Sequence, residues 1–273
     1  MTADQSLQIR AQELRLTIVD IIYHAGSGHT GGSLSCAEIL TVLYERIMKI
    51  NPKEPQWPER DRFVLSKGHA APALYSILAR QGFFDPKELK TLRRLDSCLQ
   101  GHPCMFKLPG IEMSTGSLGM GISVGIGLAL AARQQHQQYR VFVLCGDGEL
   151  QEGQNWEAMM AAVKWNLDNL TIIIDRNHVQ LDGVETEVMP MGKLEDKLTA
   201  FGLHTVTCDG HNVGSLLDAF DRAFEVPGPT VIIAETVKGK GVSFMEGQSA
   251  WHGKPISEPE YLQAIKELEA VIK

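Results

Sequence analysis

The sequence predicts an α/β protein built on a doubly wound parallel sheet with helices on both faces. Three observations predict it. Short apolar runs of the kind that form buried parallel strands alternate with stretches of helical periodicity. Polar, glycine-containing loops follow several of those runs, as they do where ligands meet the carboxyl ends of such sheets. No repeat, low-complexity tract or linker divides the 273 residues, so a single domain over 1–273 is expected.

The first helix is expected over about 6–25, where Leu7, Ala11, Leu14, Ile18, Ile21 and Ile22 recur at helical spacing before Gly26 stops it. The turn GSGHTGG follows. A second helix is expected to start at Ser35, whose hydroxyl and Glu38 three residues later form a capping-box pattern. Residues 62–66, RFVLS, read as a buried strand, followed by KGHAAP and a helix through 74–81. The segment 116–133, rich in Gly, Ala and Leu, runs into RVFVLC at 140–145, which has the composition of a central strand. After GDGELQEG come a helix over 156–165 and the strand LTIIID at 170–175, a βαβ unit. Strands at 204–208 and 230–235 flank a helix over 213–224. The last helix, 258–272, is expected to be capped by Ser257, with Pro259 in its first turn.

Composition removes several functions. The apolar stretch around 124–132 contains two glycines and is too short for a bilayer span, and the N-terminus MTADQSLQIRAQELR lacks a basic region followed by an apolar one. No membrane segment, no signal peptide and a cytoplasmic location are therefore expected. The five cysteines, Cys36, Cys98, Cys104, Cys145 and Cys208, form no Cys-x-x-Cys pair and read as buried thiols in a reducing compartment. With 33 acidic and 26 basic side chains the net charge is −7, and no Lys/Arg cluster is present to grip nucleic acid.

The chemistry concentrates in two strand-end loops. Gly146-Asp147-Gly148 follows RVFVLC and Arg176-Asn177-His178 follows LTIIID, so Asp147 and Asn177 should emerge side by side. A carboxylate, an amide oxygen and a nearby carbonyl suit Mg²⁺, which takes oxygen ligands at about 2.0–2.1 Å and accepts phosphate oxygens among them. The glycines beside Asp147 would let backbone N–H groups approach a diphosphate, with a helix N-terminus behind them. Taken alone, Gly-Asp-Gly is common turn chemistry.

Together with the spacing to Arg176-Asn177, the pattern resembles the signature of thiamine-diphosphate enzymes, with Arg176 in place of the first residue of the usual closing pair. Further blocks resemble the transketolase family in particular: SGHTGG at 27–32, DRFVLSKGHA at 61–70, QGHP at 100–103, TGSLGMG at 115–121, GDGELQEG at 146–153, and KGKG with WHGKP at 238–241 and 251–255. The resemblance implies the thiamine-diphosphate-binding fold, thiamine diphosphate and Mg²⁺ as cofactors, and the transfer of a two-carbon ketol unit between sugar phosphates. It implies that Asp147, Asn177 and the Val179 carbonyl hold the metal. Gly148, His69 and His252 would contact the diphosphate, with Gly32 nearby and Lys238 adding positive charge. Backbone atoms of Gly116, Ser117 and Leu118 would lie against the aminopyrimidine. His29, His102 and His252 would face the thiazolium and the sugar hydroxyls, where a ketose must lose a proton as its C2–C3 bond breaks and the acceptor's alkoxide must gain one. Glu152 is implied at a subunit interface, near a partner glutamate; a helix-start carboxylate is its simpler reading. His24, His136, His204 and His211 read as structural, and Met105, Met113, Met120, Met159 and Met160 as packing.

The family's pyrimidine-binding and C-terminal domains have no counterpart in these residues. A companion C-terminal transketolase subunit in a heterotetramer is therefore expected, with helix 152 onward and residues 116–132 at the interface. Related readings stay open: a deoxyxylulose-phosphate synthase-like or 2-oxo-acid dehydrogenase-like subunit, or a regulatory copy of the domain. QGHP and WHGKP favour transketolase over the first two. Intact Asp147, Asn177 and His69 speak against the last. A nicotinamide site is weaker still, since no Gly-x-Gly-x-x-Gly opens a βαβ unit.

Overall fold

The computed structural model describes residues 2–272. Its elements run α1 (Ala3–Ala25), α2 (Thr30–Leu34), α3 (Ala37–Val42), β1 (Arg62–Leu65), α4 (Ala71–Gln81), α5 (Gly121–Gln134), β2 (Val141–Gly146), α6 (Gly153–Lys164), β3 (Leu170–Arg176), α7 (Glu185–Val188), α8 (Leu194–Ala200), β4 (His204–Asp209), α9 (Val213–Glu225), β5 (Thr230–Glu235) and α10 (Glu258–Ile272). The five strands are all parallel, in the order β1-β2-β3-β5-β4.

Alternation along the strands separates two cores. Phe63, Leu65, Phe142, Leu144, Ile173 and Ile232 point to one face, where they pack with α1, α3, α4, α9 and α10. Val64, Val143, Cys145, Ile172, Ile174 and Ile233 point to the other, covered by α5, α6 and α8. This is the doubly wound arrangement that the apolar runs predict. β3 is buried along all but its last residue, which explains why it reads as a continuous apolar run and not as an alternating one.

Element ends follow local chemistry. α1 begins three residues earlier than the apolar spacing indicates, because Thr2 and Gln5 form a reciprocal capping box; Gly26, at φ 68°, ends it in the left-handed conformation. The start expected at Ser35 is not observed. α2 starts at Thr30 and α3 at Ala37, while the Ser35 hydroxyl donates to Asp175 Oδ2 at 2.6 Å. Glu38 does not cap either: it forms a buried two-pronged pair with Arg15, at 2.6 and 2.5 Å. Long-range partners thus claim both side chains that fit the capping pattern. At α10 the Glu260 carboxylate accepts from both the backbone N–H and the hydroxyl of Ser257, at 2.9 and 2.7 Å. No described helix is long and apolar enough to cross a membrane.

Candidate active site at the carboxyl ends of the strands

Four adjacent strands deliver polar residues to the same edge of the sheet. β1 leads into Ser66, Lys67 and a single turn of 3₁₀ helix carrying His69; β2 into Asp147; β3 into Asn177; and β5 into Thr236 and Lys238. Beneath them lies Asp175, fully buried and paired with the fully buried Lys67. Thr236 and Ser35 donate to the same carboxylate, and Lys67 also donates to the Gly32 carbonyl at 2.7 Å. Burial alone pushes the Asp175 carboxyl up, but Lys67 and the hydroxyl donors outweigh it and hold it below the usual range. This network pins α2 and its C-terminal cap, the end of β1 and the end of β5 to one point on β3.

Above this floor is a cleft of about 200 Å³, lined in part by Gly32, His69, Leu118, Asp147, Asn177, Val179, Lys238 and His252. Asp147 is almost completely buried, accepts backbone N–H groups from Gly148 and His178 at 2.8 and 2.5 Å, and has no cationic side chain paired with it among the described residues. Burial, then the neighbouring Asp175, pushes its carboxyl up to about 6. A buried carboxylate without a counter-ion is a ligand for a cation. Asn177 Oδ1 accepts from the Val179 N–H at 3.2 Å, and the Val179 carbonyl accepts from the Lys238 ammonium at 2.9 Å. No cluster of three His, Cys, Asp or Glu side chains occurs among the described residues. A metal here would rest on one carboxylate with amide and carbonyl oxygens, a hard donor set that fits Mg²⁺ and not a softer ion.

The histidines that the sequence singles out converge. Ring centroids of His29 lie 5.5 Å from His69, 5.9 Å from His102 and 5.2 Å from His252, and His69 lies 4.9 Å from His252. Burial, then Arg93, lowers His29 to about 4; burial, then Lys238, lowers His252 to about 3. His69 and His102 are also held below the ordinary value, first by burial. All four are neutral imidazoles at neutral pH, able to accept a proton at one nitrogen and donate at the other. The histidines read as structural fall elsewhere: His211 bonds Glu38 and the Val237 N–H, and His24 bonds the Asp20 carbonyl.

Close backbone packing shapes the remaining wall. A Cβ on Gly68 would lie 2.6 Å from the Gly116 nitrogen, and one on Gly116 would lie 2.8 Å from His102 Cδ2. A Cβ on Gly32 would meet His69 Nε2 at 3.1 Å. Gly116, Ser117 and Leu118 thus form a rim reached directly by His102. The two N–H groups expected to face a diphosphate are engaged within the chain: Gly148 N–H with Asp147 Oδ1, and Gly146 N–H with Glu149 Oε2 at 3.0 Å. Glu152 stands at the start of α6, exposed, and its side chain makes no capping bond. The helix-start reading of that carboxylate therefore has no hydrogen bond to support it.

Four functional-looking groups escape the motif reading: Lys67, Asp175, Glu149 and Arg93. Lys67 and Glu149 lie inside quoted blocks, but nothing in the sequence pairs Lys67 with a carboxylate on another strand. Glu149 accepts from Ser66 Oγ and from the Gly119 N–H at 3.0 Å, tying the 116–119 loop to the Gly146 turn.

Known proteins resemble this chain in sequence and fold. Residues 6–269 match the family model described as transketolase, thiamine diphosphate binding domain. The chain is 46% identical over 264 residues to the 6-deoxy-6-sulfo-D-fructose transketolase subunit SqwG of Clostridium sp. (strain MSTE9), with 96% of each chain covered. It is 42% identical over 272 residues to one of the subunits of the apulose-4-phosphate transketolase of Phocaeicola vulgatus, covering 98% of this chain and 96% of that one. The solved transketolase of Campylobacter jejuni superimposes with a TM-score of 0.92 at 34% identity, over 98% of this chain and 43% of its own. The chain therefore spans nearly all of two subunit relatives and less than half of that transketolase.

Proposed function

From the premise that the chain belongs to the transketolase family, as its thiamine diphosphate-binding domain, we propose that it is the N-terminal subunit of a split transketolase. It works with a companion chain to move a two-carbon ketol unit from a ketose phosphate to an aldose phosphate. The observation that carries this reading is Asp147, a buried carboxylate without a cationic partner that opens onto a cluster of neutral histidines.

In this reading Asp147, Asn177 and the Val179 carbonyl hold Mg²⁺. Lys238, whose ammonium lies 2.9 Å from that carbonyl, would supply positive charge for a phosphate oxygen, beside Gly32, His69, Gly148 and His252. Gly116, Ser117 and Leu118 present backbone to the aminopyrimidine. When bound, thiamine diphosphate supplies the electron sink that makes cleavage next to a carbonyl accessible. His29, His102 and His252 handle the protons: a neutral imidazole takes the hydroxyl proton of the ketose as its C2–C3 bond breaks, and the same group returns a proton to the new alkoxide of the aldose. Because burial holds these rings neutral, they serve as bases without first having to lose a proton.

The companion supplies what these residues do not, and a heterotetramer is the assembly we favour. Two observations support it. Both subunit relatives are matched over 96% of their own length. Leu118, Met120, Met160, Leu181 and Met189 are exposed apolar side chains on the segments around the cleft and on α6, as expected of a face that another chain covers. Glu152 belongs to that face. The test is a coupled ketol-transfer assay on the purified chain with Mg²⁺ and thiamine diphosphate, before and after addition of a chain carrying the pyrimidine-binding and C-terminal domains. Activity should appear only on addition; full activity of the chain by itself would overturn the split-site reading.

A further inference from the structure

Arg93 belongs to none of the motif blocks and has no part in the reading above, yet its guanidinium lies in the histidine cluster. Nη2 is 3.4 Å from His29 Nδ1. The residue is left-handed, at φ 58°, with its N–H donating to the Leu99 carbonyl at 2.9 Å. A long side chain in that conformation is uncommon and is retained where the surroundings fix it. The guanidinium also lies over Gly101, where a Cβ would come within 3.2 Å of Cζ. Its Nε–H is buried without a partner, and the described arginine–carboxylate pairs all lie elsewhere.

A guanidinium carries only donors and does not lose its proton in a protein. The nitrogen of His29 that faces it must therefore present a lone pair, and the proton of the neutral ring sits on Nε2. An orphaned N–H on a buried cation calls for an oxygen, since leaving it unmade is costly. We infer that Arg93 is a positioning residue for His29: it holds that imidazole as the neutral Nε2–H tautomer. Burial and then Arg93 lower His29, and the same two causes lower His102, in keeping with a cation placed against both rings. The expected loss of turnover rests on the proposed ketol transfer; the tautomer does not.

The experiment begins with long-range ¹H–¹⁵N spectra of the ¹⁵N-histidine-labelled full chain at pH 7, with His29→Asn identifying the signals. Wild type should give a neutral ring protonated at Nε2, and Arg93→Gln a mixture of tautomers. In the complex with the companion chain, Arg93→Gln should keep thiamine-diphosphate and Mg²⁺ affinity but lose about 10- to 100-fold in kcat, the range typical of removing a group that orients a functional imidazole. Arg93→Lys, which keeps the charge and a donor, should recover part of the loss. A wild-type His29 protonated at Nδ1, or Arg93→Gln spectra and turnover matching wild type, would overturn the inference. Should Arg93→Gln not fold, the wild-type spectrum and Arg93→Lys still decide it. A wild-type complex that bound no cofactor would defeat the proposed function and leave the tautomer measurement to judge Arg93 by itself.

Discussion

Lys67 and Asp175 face each other with only β2 between their strands, both with no solvent exposure, and Gly32, Ser35 and Thr236 are all anchored to that pair. The pair forms the floor of the cleft, with Lys67 among its lining residues.

Removing one partner tests this. Lys67→Met leaves a carboxylate buried with only hydroxyl donors, and should destabilise the full chain by about 3–5 kcal/mol. Urea unfolding followed by far-UV circular dichroism measures it; a loss below about 1 kcal/mol would mean that Ser35 and Thr236 suffice.

The metal assignment predicts that Asp147→Ala abolishes Mg²⁺-dependent binding of thiamine diphosphate by the assembled complex while leaving the fold intact. Asp147 bonds two backbone N–H groups, that of Gly148 in its own loop and that of His178 in the loop after β3, and pairs with no cation among the described residues. Calorimetry returning wild-type affinity would remove Asp147 from the metal site.

For His102 the prediction separates chemistry from binding. Its ring leans on Gly116 and stands exposed at the cleft's rim, 5.9 Å from His29. His102→Ala should retain cofactor affinity and slow ketol transfer about 10²–10⁴-fold, as loss of a general acid or base does. Turnover within twofold of wild type would make it a turn residue.

The sequence reveals groups whose partners are close along the chain and conceals those whose partners are distant. GDG and Asn177 are legible because one βαβ unit places both at neighbouring strand ends, and β5 is read at its observed bounds because its apolar run is bounded by polar residues. His29, His69, His102 and His252 are legible as turn residues in motif blocks. Ser35 and Glu38 mislead for the same reason that Lys67 and Arg93 stay hidden. Their spacing fits a local pattern, or none, while Asp175, Arg15 and His29 across the fold determine what they do.

Glu38 gives a pH prediction. Burial pushes its carboxyl up, but the Arg15 guanidinium and the His211 ring outweigh that and hold it at about 2, against an ordinary 4.5. A depressed carboxyl stabilises the fold at pH above its unfolded value and loses that contribution as pH falls. The full chain should therefore lose stability between about pH 4.5 and 2, with Glu38 accounting for about 3 kcal/mol. Glu38→Gln should be less stable at pH 7 and show a flatter acid limb in urea titrations at stepped pH. An unchanged limb would assign the acid sensitivity to other carboxylates.

The close contacts at Gly68, Gly116 and Gly121 bear on how the catalyst could be redesigned. A methyl group at Gly121 would stand 2.2 Å from Ser66 Oγ, one at Gly68 would strike the Gly116 backbone, and one at Gly116 would strike His102. At those positions any added side chain must displace a neighbour, the Gly116 backbone for Gly68, the His102 ring for Gly116 and Ser66 for Gly121. Met105 and Phe106, by contrast, are both exposed just beyond the His102 turn. There the chain can accept a new side chain without moving that backbone.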